Sequence, residues 1–140
     1  MADTFDIEIA TPERLLAREK AVRSQVPAKD GYLGVLPDHA ALLSELGIGA
    51  LTFVTPDDHR YSIAICGGFL EIYNNVVRVL TDVAEKGHEI DVSAAERDLR
   101  HAQEAMLNPA LGVDIASALI AARHAQARID AARKATTREE

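Results

Sequence analysis

Asp38-His39 is the pair in this chain that most resembles catalytic equipment, a carboxylate beside an imidazole. Residues adjacent in sequence seldom aim at each other, however, and no nucleophile is placed near them by spacing. The histidines at 39, 59, 88, 101 and 124 are scattered, and none stands at His-x-x-x-His spacing, so no zinc site is expected. Cys66 is the sole cysteine, which excludes an intramolecular disulfide. It ends the run Ile63-Ala64-Ile65-Cys66, where it reads as a small apolar side chain rather than a reactive thiol. There is no Gly-x-x-x-x-Gly-Lys-Ser/Thr loop, and no Gly-x-Gly-x-x-Gly follows a strand pattern. Glu71, Tyr32 and Tyr73 read as strand-face or rim residues. The chemistry expected of this chain is recognition, not catalysis.

The elements that must position any recognition surface fall into two parts, divided near residue 86. Before it, apolar residues alternate in short runs: Phe5, Ile7 and Ile9, then Leu51 and Phe53, Ser62-Ile63-Ala64-Ile65, Phe69-Leu70-Glu71-Ile72-Tyr73 and Val76-Val77-Arg78-Val79-Leu80. Between them lie turn signals at Thr11-Pro12, Asp30-Gly31, Thr55-Pro56-Asp57-Asp58, Gly67-Gly68 and Asn74-Asn75. Short strands so punctuated predict an all-β sandwich or barrel over residues 1–86. Asn74-Asn75 fits a two-residue hairpin turn, because asparagine tolerates positive φ. The segment Asp30-Gly31-Tyr32-Leu33-Gly34-Val35-Leu36-Pro37-Asp38-His39-Ala40 is too punctuated for a helix and too apolar for a linker. It reads as a rigid loop-strand unit offering a face to another protein.

Beyond Lys86-Gly87-His88 the period becomes helical. Val92, Ala95, Leu99, Ala102 and Met106 form one stripe, and Ile115, Ala118, Ala122, Ala125, Ile129 and Ala132 another. Helices are predicted at about 91–107 and 113–134, within a hairpin spanning 87–140. Asn108-Pro109 stops the first. Ser93-Ala94-Ala95-Glu96 has the form of a capping box, with Asp91 as the alternative N-cap, and Asp114 caps the second helix. Residues 135–140 read as a frayed tail. The first helix is acidic, and the second carries Arg123, Arg128, Arg133 and Lys134, an expected basic face. Its alanine-rich seam gains little from packing, so the hairpin is expected to be a movable part.

With 140 residues and a formal charge of -7, the chain can bury one core and is a poor ligand for nucleic acid or an anionic membrane. Acids and bases throughout the first twenty residues exclude a signal peptide, and no apolar run approaches the ~20 residues of a membrane span. A soluble protein of a reducing, cytosol-like compartment is expected.

Four stretches together resemble the epsilon subunit of bacterial F-type ATP synthase, whose relatives include chloroplast epsilon and mitochondrial delta. They are Phe5-Asp6-Ile7-Glu8-Ile9-Ala10-Thr11-Pro12-Glu13, Val26 through Ala40, Gly67-Gly68-Phe69-Leu70-Glu71-Ile72 and Val77-Arg78-Val79-Leu80-Thr81-Asp82. The resemblance implies an α+β protein, a flattened ten-stranded β-sandwich followed by an antiparallel α-helical hairpin. It implies a non-catalytic rotor subunit of the central stalk, which couples rotation to ATP synthesis and restrains ATP hydrolysis through hairpin movement. The implied partners are the gamma subunit, the c-subunit ring and, when the hairpin extends, the alpha and beta catalytic subunits, with no nucleic acid and no membrane insertion. The implied place is the cytoplasmic face of the bacterial inner membrane.

Residue by residue, His39 and Ser44 match gamma-facing positions, and Gly31, Tyr32, Leu33 and Gly34 match a loop approaching the c ring. Tyr32 stands where some relatives carry an acid, and Ala41 replaces a common proline. Some members bind ATP through an Ile/Leu-Asp-x-x-Arg-Ala motif. Here Ile90-Asp91-Val92-Ser93-Ala94-Ala95 puts Ala94 at the arginine position, and His124 replaces a second basic position. Arginine is the residue suited to fork onto phosphate oxygens, so no cofactor is expected. An ATP-sensing module using Ile90, Asp91 and Arg128 is the alternative reading, and a permanent structural clamp is another.

Overall fold

The structure, a computed structural model, describes residues 2–108, 112 and 114–136. Ten strands come first: β1 (Phe5–Ala10), β2 (Leu15–Ala21), β3 (Arg23–Ala28), β4 (Gly31–Val35), β5 (Leu42–Glu45), β6 (Ile48–Val54), β7 (Arg60–Cys66), β8 (Phe69–Tyr73), β9 (Val76–Leu80) and β10 (Ala84–Lys86). A 3₁₀ turn at Gly87–Glu89 leads to two helices, α1 (Val92–Leu107) and α2 (Ile115–Thr136). The strands form two five-stranded sheets, ordered β2-β1-β9-β8-β5 and β10-β7-β6-β3-β4. This is a sandwich, not a barrel. β1 and β9 run parallel, and the other paired neighbours are antiparallel.

Alternation explains the core. Phe5, Ile7 and Ile9 of β1 all point inward, as do Leu51 and Phe53, Ile63 and Ile65, Leu70 and Ile72, and Val77 and Val79. Strand side chains repeat every two residues, so each of these strands presents one apolar edge to the opposite sheet. Asn74 and Asn75 have φ of 50° and 63°, the paired positive values of a type I′ turn, and join β8 to β9. β2 had no apolar alternation to announce it. It is an edge strand, and Lys20 and Arg18 pair across to Asp6 and Glu8 at 2.9 and 3.3 Å. Charges there also discourage pairing with another chain.

β6 and β7 depart from alternation, because both of their faces are covered. Their large residues face the other sheet, while Ala50 and Ala64, cross-strand partners, face outward under α2. Ala127 and Ala131 of α2 meet them. Small side chains on both surfaces let helix and sheet approach closely, at a gain of about 0.8 kcal/mol per buried methyl. α2 is therefore two-sided. Ala118, Ala122, Ala125, Ile129 and Ala132 are buried, as the helical stripe predicts, whereas Ile115 remains exposed. Ala127 and Ala131 form a second apolar contact outside that stripe.

Between the two possible caps of α1, Asp91 serves: its Oδ1 accepts from the Ala94 amide at 3.1 Å. Asp114 accepts from the Ala116 amide at 3.1 Å and begins α2. Pro109, Val113 and residues 137–140 lie outside the described residues.

Candidate functional site

The hairpin lies on the outer face of the second sheet. Among the described residues, a polar fastening is Arg128, whose Nε donates to Glu85 Oε2 at 2.9 Å and whose Nη2 donates to Glu85 Oε1 at 3.2 Å. Nη1 lies 3.6 Å from Asp98 of α1. The Arg128 side chain is only 17% exposed and that of Glu85 32%, so solvent screens this pair less than a surface pair. The hydrogen bonds to Glu85, aided by the charges of Asp98 and Asp91, hold the guanidinium above its usual range. One cation thus ties the sandwich (β10) to both helices. Gly87 completes the joint. A Cβ there would lie 2.4 Å from the Ala131 carbonyl oxygen, so only glycine lets the 3₁₀ turn nest against α2.

The four expected cations do not make one basic face. At about 100° per residue, Arg123 and Lys134 share a side of α2, while Arg128 and Arg133 point elsewhere. Arg123 lines a groove with Pro27, Gly49 and Tyr32, and Lys134 Nζ sits 5.5 Å from the centre of the Tyr32 ring. Arg128 is taken by the ion pairs above. The sequence supplied the charges, but their directions depend on which side of the helix meets the sheet.

Gly31, Tyr32, Leu33 and Gly34 occupy strand β4, not a loop; the turn is Lys29-Asp30. Tyr32 is also turned to a structural task. The β3–β6 ladder covers Arg23, Ser24 and Gln25 and stops short of Pro27, which has no N–H to offer. Tyr32 reaches over Pro27, and its hydroxyl accepts from the Ala50 amide at 3.1 Å. Gly49 leaves the space, since a Cβ there would lie 2.6 Å from that hydroxyl. Tyr32 is thus a strut beneath the hairpin as well as a surface ring.

His39 and Ser44 end up in different surroundings. His39 is half-buried in the Leu36–Ala41 connection, its Nδ1 2.7 Å from the Ala40 carbonyl oxygen. That connection is fastened by Asn75, whose Oδ1 accepts from the Asp38 amide at 2.8 Å and whose Nδ2 donates to the Thr4 carbonyl at 2.7 Å. Asp38 Oδ2 accepts from the Ala2 amide, so its carboxylate ties down the N-terminal segment and does not address His39. Ser44 instead shares a hollow with Gly31, Tyr32 and Leu33, and its hydroxyl donates to the Glu45 carbonyl.

What the sequence reading missed is the outer face of the first sheet. Phe69 and Leu80 are cross-strand partners there and are each 56% exposed. Leu43, 73% exposed, and Tyr73, 66% exposed, lie on the same sheet. Between these apolar groups runs a charge ladder: Arg18 to Glu8, Glu8 to Arg78 and Arg78 to Glu71, at 3.2 to 3.4 Å. The signal lay in the outward positions of β8, where Phe69 and Tyr73 flank Glu71. Alternation identifies those positions as outward without saying that nothing covers them.

Ile90, Asp91 and Arg128 do converge near the hairpin's base. Ile90 packs against the alanine cluster, Asp91 caps α1, and its charge reaches Arg128. Among the described residues, no group of three or more His, Cys, Asp or Glu stands together as a metal site. No helix among them is long and apolar enough to cross a membrane.

Comparison with known proteins decides the family. Residues 4–87 match the model of the ATP synthase, Delta/Epsilon chain, beta-sandwich domain. The chain belongs to the ATP synthase delta/epsilon family. It is 53% identical over 134 residues to the ATP synthase epsilon chain of Solibacter usitatus (strain Ellin6076), covering 96% of this chain and 99% of that one. It is 40% identical over 104 residues to the ATP synthase epsilon chain of Koribacter versatilis (strain Ellin345), covering 74% and 72%. The fold is similar to a chain in the Euglena gracilis mitochondrial ATP synthase, with a TM-score of 0.83 at 21% identity over 95% of this chain and 83% of that one. The family match spans the ten strands, and the Solibacter relative carries the likeness through the hairpin as well.

Proposed function

We propose that this chain is the non-catalytic epsilon subunit of an F-type proton-translocating ATP synthase, working in the central stalk at the cytoplasmic face of the bacterial membrane. The observation that carries the regulatory part is how the hairpin is held. Ala127 and Ala131 against Ala50 and Ala64, with Arg128 on Glu85, fasten it by small contacts and a bidentate ion pair. An element held so lightly can exchange between docked and extended states separated by a small free-energy gap. Extended, α2 presents Arg123 and Lys134 on one side, and the released Arg128 with Arg133 on others, to acidic surfaces of the alpha and beta catalytic subunits and restrains hydrolysis.

The gamma subunit takes the open face of the first sheet, where Phe69, Leu80, Leu43 and Tyr73 supply apolar contact, and reaches His39 and, round the β5 edge, Ser44 in its hollow beside β4. The Gly31–Gly34 strand and the Lys29-Asp30 turn approach the c ring. No nucleotide is needed to dock the hairpin, because Glu85 and Asp98 already engage the guanidinium of Arg128. Calorimetry with ATP tests that point: saturable heat abolished by Asp91→Ala would restore the ATP-sensing alternative.

The main test uses the assembled complex. Phe69→Glu changes an exposed side chain and leaves the core alone, so the subunit folds but should no longer co-purify with gamma. Removal of residues 88–140 should leave assembly intact and raise hydrolysis. Co-purification of the Phe69→Glu chain would overturn the gamma face. Unchanged hydrolysis after truncation would remove the inhibitory role and favour a permanent clamp.

A further inference from the structure

The second sheet ends at β4, and among the described residues no strand pairs with the far side of that element. The register shows which groups face that side. The Gly47 amide donates to the Pro27 carbonyl at 2.9 Å, so Pro27 directs its backbone toward the start of β6 and away from β4. Its partner in β4 is Tyr32. Antiparallel pairs alternate between bonded and unbonded, so Pro27 with Tyr32 is an unbonded pair, and so is Gln25 with Gly34. Tyr32 and Gly34 therefore each turn an N–H and a C=O to the open side.

An open edge is a template for another chain, and the other three edges of this sandwich are guarded. β2 carries Arg18, Glu19 and Lys20. β10 is three residues long and carries Glu85 and Lys86. β5 has four residues, and its Glu45 carbonyl is taken by the Lys29 amide at 3.2 Å. β4, with five residues, has no charge and no proline. Beside it lies a hollow of about 280 Å³, lined by Gly31 and Leu33 of β4 and by Leu42 and Ser44 of β5. Leu33 and Leu42 are only partly buried against the core, so its floor is apolar. A strand laid along β4 would point alternate side chains into this hollow and out beside Tyr32.

We propose that the free edge of β4 is a strand-addition site, occupied by an extended segment of the gamma subunit with an apolar residue seated in the hollow. The inference rests on the gamma face described above. Leu43 of β5 belongs to that exposed face, and Ser44, the next residue, lines the hollow. A partner that covers Leu43 and turns the β5 edge meets β4 at once. Backbone bonds to Tyr32 and Gly34 hold such a segment whatever its sequence, and the hollow selects the side chain. The Lys29-Asp30 turn lies at the end of the strand and stays free for the c ring.

The test compares hydrogen exchange in β4 between the free chain and the assembled complex. The Tyr32 and Gly34 amides should exchange fast in the free chain and about tenfold or more slowly in the complex. Equal exchange in the two overturns the proposal. Gly34→Pro removes an outward N–H and leaves the β3 ladder intact, and a Cβ at Gly34 meets only Gln25 Nε2, at 3.5 Å. This variant should bind purified gamma about tenfold more weakly, whereas Gly34→Ala, which keeps the N–H, should bind as the parent does. Thermal unfolding checks that the proline variant is folded; if it is not, the exchange comparison on the unaltered chain decides. A photoreactive amino acid at position 34 should capture gamma in the complex, and capture of a c subunit instead overturns the choice of occupant. Phe69→Glu separates this inference from the reading beneath it. Gamma binding that survives Phe69→Glu removes the gamma face itself. Binding lost in Phe69→Glu but unchanged in a folded Gly34→Pro removes the edge alone.

Discussion

Arg128 and Glu85 are 43 positions apart in sequence, yet two hydrogen bonds, at 2.9 and 3.2 Å, join them across the boundary between hairpin and sandwich. Charged hydrogen bonds of this kind contribute about 1.5–3 kcal/mol each when partly withdrawn from water, and part of that is lost here to exposure. Arg128→Gln should therefore weaken docking by about 2 kcal/mol, roughly thirtyfold in the docked-to-undocked ratio. Hydrogen exchange of the α2 amides should speed up while exchange in β1 and β9 stays unchanged. In a double-mutant cycle with Glu85→Gln, additive effects would show that the pair is not the fastening.

Gly87 tests the same joint by shape. Gly87→Ala puts a methyl 2.4 Å from the Ala131 carbonyl oxygen and 2.8 Å from the Ala135 Cβ. Backbone cannot give way as a flexible side chain can, so α2 must shift. Overpacking of this kind costs about 1–3 kcal/mol. Limited proteolysis should cut within the hairpin faster in this variant. Protection equal to the parent would mean that the turn moves instead.

Tyr32→Phe removes one oxygen and leaves the Ala50 amide, on a fully buried residue, without its acceptor. The expected loss is about 1–3 kcal/mol of stability in urea unfolding. Lys134 loses little, because a phenyl ring still lies beneath its ammonium. A change below a few tenths of a kcal/mol would show that water replaces the hydroxyl.

Cys66 sets an alkaline limit. Burial, helped by the charge of Asp82, pushes its thiol above the ordinary 9.0. The folded chain therefore holds this proton more tightly than the unfolded chain. The stabilisation is fully present below about pH 9 and is lost as pH rises through the folded value. Tyr61, raised mainly by burial, extends the loss above its ordinary 10.0. Urea midpoints should fall as pH is raised beyond about 9, less steeply for Cys66→Ala, and thiol labelling at pH 8 should be slow. Arg128 stays charged through this window, because its hydrogen bonds to Glu85 hold the guanidinium above its usual range. An identical alkaline slope in the two proteins would refute the assignment.

Much of the architecture was written locally. Period-two alternation in β1, β8 and β9, paired asparagines at positive φ, and capping aspartates before α1 and α2 are each decided within a few residues. Local patterns of this sort determine that there is an all-β part followed by two helices, and leave sandwich and barrel open until the two five-stranded sheets are seen. What no local pattern could decide was which surfaces meet. Ala50 and Ala64 look unremarkable in sequence, and they become a docking surface because α2 lies over them. Arg123, Arg128, Arg133 and Lys134 look like one basic face, and they part company because only one side of α2 is free to point each way. Tyr32 looks like a rim residue, and it becomes a strut because Pro27 interrupts a ladder next to it. Strand and helix periods follow from backbone geometry, which each segment carries for itself. Docking, ion pairing and exposure arise between segments distant in the chain, and the folded molecule alone brings those together.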